Sequence, residues 1–241
     1  MKAFLLAAGM GSRLKPITDT IPKCLVPIAG HPMLDWWAKL FIEAGVSEVL
    51  INTHYLHEQV HDYIERFNAE NTKLQWTEAY EETLRGSGGT VRDRWDFVKD
   101  EEDFLICYAD NLTDMNLKKM ISYHLDTKAR FTMGLFHTGV PKQCGIVSLD
   151  ENGIVTEFVE KPENPKSDLA NAGVYIANRS IRELLTDKEV LDFGKDVLPA
   201  LVGQMHGYPI SSYFIDIGTM ENYHKAQEDW KYDYYKDAFP C

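Results

Sequence analysis

The 241-residue chain has few cysteines, no long apolar run and no excess of positive charge. Its 4 cysteines (Cys24, Cys107, Cys144 and Cys241) stand far apart and form no CxxC pair. A disulfide frame and a zinc site are therefore not expected, whereas reduced thiols in a cytoplasmic protein are. The first apolar run, Ala3 to Ala8, covers 6 residues before a glycine, unlike a secretory signal. No run approaches the roughly 20 residues of a membrane-spanning helix. Acidic side chains number 37 against 25 basic ones, a net charge of −12. A general nucleic-acid coat needs a basic face and is excluded. A small anionic ligand held by a few local cations is not. Linkers rich in Ser, Gly or Pro, low-complexity tracts and internal repeats are also missing, so the chain reads as one domain over 1–241.

What is present in the first half is an alternation of short apolar runs with helix-period segments. Strands are expected at Lys2 to Ala8, Glu48 to Thr53, Leu74 to Thr77 and Phe104 to Ala109. Helices are expected at Met33 to Ala44, at His57 to Phe67 and from Gly88 to Phe97. Such alternation implies crossovers and a mostly parallel sheet covered on both faces. After about residue 130 the runs "RFTMGLF", "GIVSL", "IVTEFVE" and "AGVYIA" crowd together, and Asp150 to Gly153 reads as a hairpin turn. Two or three helices in all are expected over Ser180 to Val202 and Met220 to Tyr232. The fold class is α/β, a Rossmann-like mixed, mostly parallel sheet flanked by helices. Residues 1–130 would form a nucleotide half and 131–241 a second-substrate half.

The loop "AAGMGSRLKP" follows the first strand, where an open parallel sheet presents its ligand crevice. Gly9 and Gly11 permit close backbone approach, their N–H groups can face phosphate oxygens, and Arg13 can hold a phosphate bidentately. A dinucleotide fingerprint would need a third glycine where Leu14 stands, and a Walker A loop would need GxxxxGK[ST], which is absent. A plain turn carrying a surface arginine remains open on the loop alone. His54, His57 and His61 lie close in sequence, but no acidic motif joins them there, and they read as ordinary surface or core histidines.

The longer pattern decides more. From Gly9 through Arg13, Pro16, Thr18, Pro22 and Lys23 to Pro27 the chain resembles the signature of the sugar nucleotidyltransferases, the nucleotide-sugar pyrophosphorylases. "YADN" (Tyr108 to Asn111), "VEKP" (Val159 to Pro162), "NAGVYI" (Asn171 to Ile176) and "FIDIGT" (Phe214 to Thr219) follow in the family's order. The resemblance implies a GT-A-like fold, here without an appended β-helix domain. It also implies attack by a sugar 1-phosphate oxygen on the α-phosphate of an NTP, with release of pyrophosphate. Arg13, Lys23 and Asp110 would be the catalytic residues. Arg13 would hold the triphosphate and Lys23 the crowded α-phosphate. Leu6, Ala8, Gly9, Gly11 and Ser12 would line the nucleotide. Asp110 and Asp216 would converge on one Mg²⁺. Gly145, Glu160, Lys161 and Asn171 would hold the sugar phosphate. Cys144 stands where the family usually has an aromatic residue.

"EETLRGSGGT" (Glu81 to Thr90) corresponds to the family's base-reading loop, giving Glu81, Gly86, Ser87 and Gly88 as nucleotide contacts. Thymidylyl- and uridylyltransferases usually carry a glutamine there, and this chain has Glu81 and Glu82 instead. Guanine offers two adjacent donors that one carboxylate can accept together, which favours GTP. A solvated acidic turn is the competing reading. Among family members the loop resembles that of mannose-1-phosphate and heptose-1-phosphate guanylyltransferases. Cytidylyl, uridylyl or thymidylyl transfer to another sugar 1-phosphate or to phosphocholine stays open. So does a non-catalytic regulatory subunit, although such proteins typically lose the Arg, the Lys or a metal Asp, and all are present here. The aromatic C-terminal tail would pack on the core or on a second copy, forming a homodimer.

Overall fold

Pro32, which ends β3 (His31–Pro32), leads straight into α1 (Met33–Ala44), and Gly45 ends it. Before them come β1 (Lys2–Leu6) and β2 (Pro27–Ile28), the latter paired antiparallel with β3. Gly45 adopts φ 77°, and its N–H reaches the carbonyls of Ile42 and Phe41, a left-handed stop that glycine makes without steric cost. The apolar stripe of α1 faces the core. Leu34, Trp37 and Phe41 are each at most 1% exposed, and burying a side chain of that size contributes about 1.5–3 kcal/mol. The structure is a computed structural model, and it describes residues 1–231. Cys241 and most of the aromatic tail lie outside the described residues.

The chain continues through β4 (Glu48–Thr53), α2 (His57–Glu70), β5 (Gln75–Tyr80), α3 (Ser87–Asp93), β6 (Asp103–Tyr108), β7 (Asn111–Thr113), α4 (Leu117–Thr127) and β8 (Phe131–His137). Then come β9 (Gly145–Leu149), β10 (Val155–Glu160), β11 (Leu169–Asn178), β12 (Met205–Pro209), β13 (Phe214–Asp216) and α5 (Met220–Asp229). Two compact units share these elements. One holds Met1–Phe4, Leu84–Cys107 and Lys118–Ser211, the other Leu5–Thr83, Tyr108–Leu117 and the residues from Ser212 on. They interleave along the chain.

In the unit that carries the glycine-rich loop, β4 and β5 pair in parallel from Glu48–Gln75 to Thr53–Tyr80. β13 runs antiparallel to β7, with Asp216 opposite Asn111. The side chains of β13 alternate, and Ile215 is buried while Asp216 is not. α5 docks on the β2–β3 hairpin through Gln227, whose Nε2 donates to Pro27 O at 2.7 Å, and just past α5 Trp230 meets Trp36 of α1 edge to face at 5.2 Å. In the other unit β11 is the hub, antiparallel to β6, β8 and β9, while β12 joins β8 in parallel. The α/β class and the mixed sheet flanked by helices are as expected. So is the hairpin between β9 and β10, where Asp150 Oδ1 accepts the N–H groups of Asn152 and Ile154.

Three expectations need correction. The stretch Ser180–Val202 contains no α-helix. It forms a 3₁₀ segment (Arg179–Leu184), a π turn (Phe193–Val197) and a second 3₁₀ turn (Leu198–Leu201). Pro199 lacks the N–H that a continuing helix would need, and Asp192 caps the π turn by accepting the Lys195 N–H. The expected helix from Gly88 to Phe97 breaks into α3 and a 3₁₀ turn at Trp95–Phe97. The helix expected over Met220 to Tyr232 is α5, ending at Asp229, and Tyr232 lies outside the described residues. The helix α4 and the short strands β2, β3, β7, β12 and β13 had no expectation. Among the described residues no helix is long and apolar enough to cross a membrane.

Candidate active site

Gly11 sits at φ 65°, and a Cβ there would lie 2.8 Å from Thr18 Cγ2. Both the backbone angle and the contact require glycine. Its carbonyl accepts the Leu14 N–H and the Thr18 hydroxyl, each at 2.8 Å. Leu14 is fully buried while Ser12 and Arg13 are exposed, so this short turn is anchored by one side chain and offers the other two outward. They border a cleft of about 260 Å³ together with Leu6, Ala7, Gly9, Gly11, Lys23, Cys24, Ala109, Asp110 and Gly218. Of the residues expected around a nucleotide, Leu6, Gly9, Gly11 and Ser12 line this cleft. Ala8 does not; Ala7 takes its place on the wall.

Lys23 is the centre of the charge arrangement. Its Nζ donates to Asp110 Oδ2 and lies 3.6 Å from Asp216 Oδ1. Only 11% of its side chain is exposed, so it is not the solvated surface charge that a lysine usually is. The two carboxylates are brought together by backbone pairing. The Ile217 N–H donates to Asp110 O at 2.9 Å, and the Gly218 N–H donates to Asp216 Oδ1 at 2.6 Å. Asp216 keeps 45% of its side-chain surface exposed. Even so, the surrounding protein and then the negative charge of Asp110 hold its carboxyl above the usual carboxylate range, against the lowering effect of Lys23. Gly218 completes the set. A Cβ there would lie 2.7 Å from Asp216 Oδ1, 2.9 Å from Lys23 Nζ and 3.1 Å from Arg13 Nη2. Arg13, Lys23 and Asp216 therefore gather around one bare Cα at the cleft wall.

Glu81 follows β5 and is 8% exposed, not solvated; its neighbour Glu82 is exposed. Asn52 Nδ2 donates to Glu81 Oε1 at 3.1 Å, while Asn52 Oδ1 accepts the Ala7 N–H at 2.7 Å. Asn52 was not foreseen as part of any site. Its signal was an amide within the apolar strand "EVLINT", since a buried amide needs partners.

In the other unit, Gly86, Ser87 and Gly88 meet the segment before the π turn. The N–H groups of Gly88 and Gly89 both donate to Leu191 O, at 2.9 and 3.0 Å. A Cβ on Gly86 would lie 2.4 Å from that oxygen. Ser87 Oγ accepts the Phe193 N–H at 2.8 Å. These glycines let two segments touch, and their amides are directed at the chain itself.

Three of the four sugar-side residues, Gly145, Glu160 and Asn171, lie on β9, β10 and β11, and Lys161 follows the end of β10. Glu160 pairs with Gly145, and Ala170 pairs antiparallel with Ile146, which puts Asn171 opposite Gly145 in the same register. A Cβ on Gly145 would come within 2.8 Å of Glu160 Oε2, and one on Gly194 within 3.2 Å. The Glu160 carboxylate thus lies between two glycines. Asn171 Oδ1 accepts the Gly173 N–H, and its Nδ2 donates to Tyr175. Lys161 is mostly exposed, 3.5 Å from Glu160. Cys144 O accepts the Lys161 N–H. Gly194 was not foreseen.

The family model described as nucleotidyl transferase matches residues 2–232. The chain belongs to the nucleotidyl transferase family. It is 29% identical to the D-glycero-α-D-manno-heptose 1-phosphate guanylyltransferase of Aneurinibacillus thermoaerophilus, covering 95% of this chain and 98% of that one. It is 28% identical to the glucose-1-phosphate adenylyltransferase of Bacillus subtilis (strain 168), covering 94% of this chain. This nucleotidyl transferase chain spans 66% of the length of that enzyme, and only about half to two-thirds of several other curated relatives. The crystal structure of HddC from Yersinia pseudotuberculosis complexed with GMP-PN matches with a TM-score of 0.79 at 26% identity, over 95% of this chain and 99% of that one. The ordered motifs from Gly9 to Thr219 are therefore those of a nucleotidyl transferase.

Proposed function

We propose that this chain acts in the cytoplasm as a Mg²⁺-dependent guanylyltransferase. It joins GTP to a mannose- or heptose-type sugar 1-phosphate, and the products are a nucleotide sugar and pyrophosphate. The observation that carries this reading is the position of Lys23 at the cleft, between Asp110 and Asp216, with Arg13 beside the bare Gly218. Both reactants are anions, so the work lies in positioning and charge compensation. Arg13 holds the β- and γ-phosphates. Lys23, aimed by the two carboxylates, turns to the α-phosphate, where negative charge accumulates as the new P–O bond forms and pyrophosphate departs. The backbone of Gly9 and Gly11 allows the triphosphate to lie against the loop.

The donor set fits magnesium. Among the described residues no group of three or more His, Cys, Asp or Glu side chains could hold a metal ion, but Asp110 and Asp216 converge on one positive charge. Magnesium is held by one or two carboxylates together with substrate phosphates and water, so these two residues would hold it. When bound, the ion supplies positive charge that offsets the phosphate oxygens. On the sugar side, Glu160 accepts from sugar hydroxyls beside Gly145, Asn171 adds a hydrogen bond, and Lys161 meets the phosphate.

Guanine is favoured because Glu81 is a held carboxylate and not a solvated one. The heptose relative and the GMP-PN complex of HddC support the same base. The adenylyltransferase relative supports a second reading, ATP with glucose 1-phosphate. Adenine presents one donor beside an acceptor, and that acceptor would face the carboxylate. Pyrophosphate release with Mg²⁺, measured across GTP, ATP, CTP, UTP and dTTP against mannose, heptose and glucose 1-phosphates, tests both. GTP turnover with a manno-configured acceptor is expected. Turnover confined to ATP with glucose 1-phosphate would replace this reading with the second one.

A further inference from the structure

We infer that Asn52 is a positioning residue that sets base selection by holding the Glu81 carboxylate in register with the glycine-rich loop. This deepens the guanylyl reading and rests on it. Asn52 is 5% exposed and lies near the end of β4. It touches the two things that have to agree for an NTP to be read: the start of the phosphate loop and the acid after β5.

The orientation of its amide follows from chemistry. The Ala7 N–H can only donate, and it meets Asn52 at 2.7 Å, so the facing atom is the carbonyl Oδ1. The NH₂ group is then turned to Glu81 Oε1 at 3.1 Å, and it can only donate. Glu81 Oε1 must therefore answer as an acceptor. The main chain of Glu81 is tied down as well. Its N–H donates to Thr53 O at 2.9 Å, and its carbonyl lies 2.7 Å from His54 Nδ1. A carboxylate 8% exposed would be costly without hydrogen bonds, and Asn52 supplies one of them. Asn52 uses one of the roughly four acceptor positions of the carboxylate. It fixes the carboxylate plane on which a base edge with two neighbouring donors would have to register. Ala7 lines the cleft, so the same amide relates that plane to the place of the phosphates.

Two substitutions separate the roles. Asn52→Asp keeps an oxygen for the Ala7 N–H but sets a second oxygen against Glu81, so it breaks only the link to the acid. Asn52→Ala breaks both links. The readout is the ratio of kcat/KM values for GTP, ITP and ATP, since the ITP base keeps the ring N–H and lacks the 2-amino group. Thermal melts check that each variant folds. Wild type is expected to favour GTP over ITP and ITP over ATP. Both Asn52 variants are expected to reduce the GTP-to-ATP ratio at least tenfold, and Glu81→Gln to reduce it in parallel. Should Asn52→Ala fail to fold, Asn52→Asp, which keeps the Ala7 link, carries the test alone. Glu81→Gln keeps an acceptor for Asn52, and unchanged GTP-to-ITP discrimination there would overturn the inference through the acid. A wild-type GTP preference that survives both Asn52 substitutions within twofold would overturn the inference alone. A wild-type preference for another base would overturn the guanylyl reading and this inference with it.

Discussion

Replacing Gly218 by Ala tests the charge cluster without removing any charge from it. The added Cβ would stand 2.7 Å from Asp216 Oδ1 and 2.9 Å from Lys23 Nζ, where ordinary contact starts at 3.4 Å. Asp216 must retreat by about 0.7 Å and Lys23 by about 0.5 Å. The retreat of Asp216 also loosens its hydrogen bond from the Gly218 N–H. Misplacing reacting groups by about 1 Å costs about 10²-fold in rate, so kcat/KM should fall about 10- to 100-fold, or about 1.4–2.7 kcal/mol of transition-state stabilisation. Stability should barely move. The three crowded atoms are the far ends of flexible side chains, and Gly218 is not among the glycines at positive φ. The assay is pyrophosphate release at saturating Mg²⁺, with a thermal melt of the same preparation. A Gly218→Ala protein that melts like wild type and turns over within twofold of it would refute the role given to this cluster.

Other outcomes follow from the same geometry. Lys23→Met should lower kcat by about 10²–10³-fold, as expected when one preorganised electrostatic contact to the reacting group is lost; steady-state kinetics at saturating GTP check it. Asp110→Asn and Asp216→Asn should each raise the Mg²⁺ concentration needed for half-maximal rate, and EDTA should abolish wild-type turnover; a Mg²⁺ titration that matches wild type would remove the metal assignment. Gly86→Ala should destabilise the fold by more than about 1 kcal/mol, because φ is 79° and the new Cβ would stand 2.4 Å from a backbone oxygen, Leu191 O; denaturant midpoints report it. The buried His124, between Asp103 at 3.2 Å and Thr132 at 2.8 Å, is held below its ordinary pKa of 6.5 by desolvation, against the opposing effect of Asp103. The unfolded chain then binds the proton more readily, so stability is full above about pH 6.5 and falls as pH drops below that value. Urea midpoints from pH 8 to 5 should show this slope, and His124→Gln should flatten it.

Much of the fold was legible because burial imposes periodicity. The bounds of α1 and β4 were read directly from "MLDWWAKLFIEA" and "EVLINT", where each apolar position has one place to go. The stretch Ser180–Val202 was misread because apolar residues at helical spacing, Leu184, Leu185, Leu191, Val197 and Leu198, do not disclose that Pro199 and the Asp192 cap prevent a continuous helix. Short strands such as β7 and β13 carry too few residues for a period and exist only as each other's partners.

For the site, the local chain determined the residue types and their order: a glycine loop with Arg13 and Lys23, then Asp110, Glu160, Asn171 and Asp216. It did not tell Gly9 from Gly11; the structure shows that Gly11 is the one held at positive φ against Thr18. Only the tertiary structure decided which of these meet. Asp110 and Asp216 are brought to Lys23 by the pairing of β7 with β13, across more than a hundred residues of sequence. Asn52 joins Ala7 to Glu81 through two hydrogen bonds with no trace in local spacing. Hydrophobic pattern and backbone angle are properties of neighbours along the chain. Hydrogen bonding and Coulomb attraction act across space, and that distance is set only when the sheet closes.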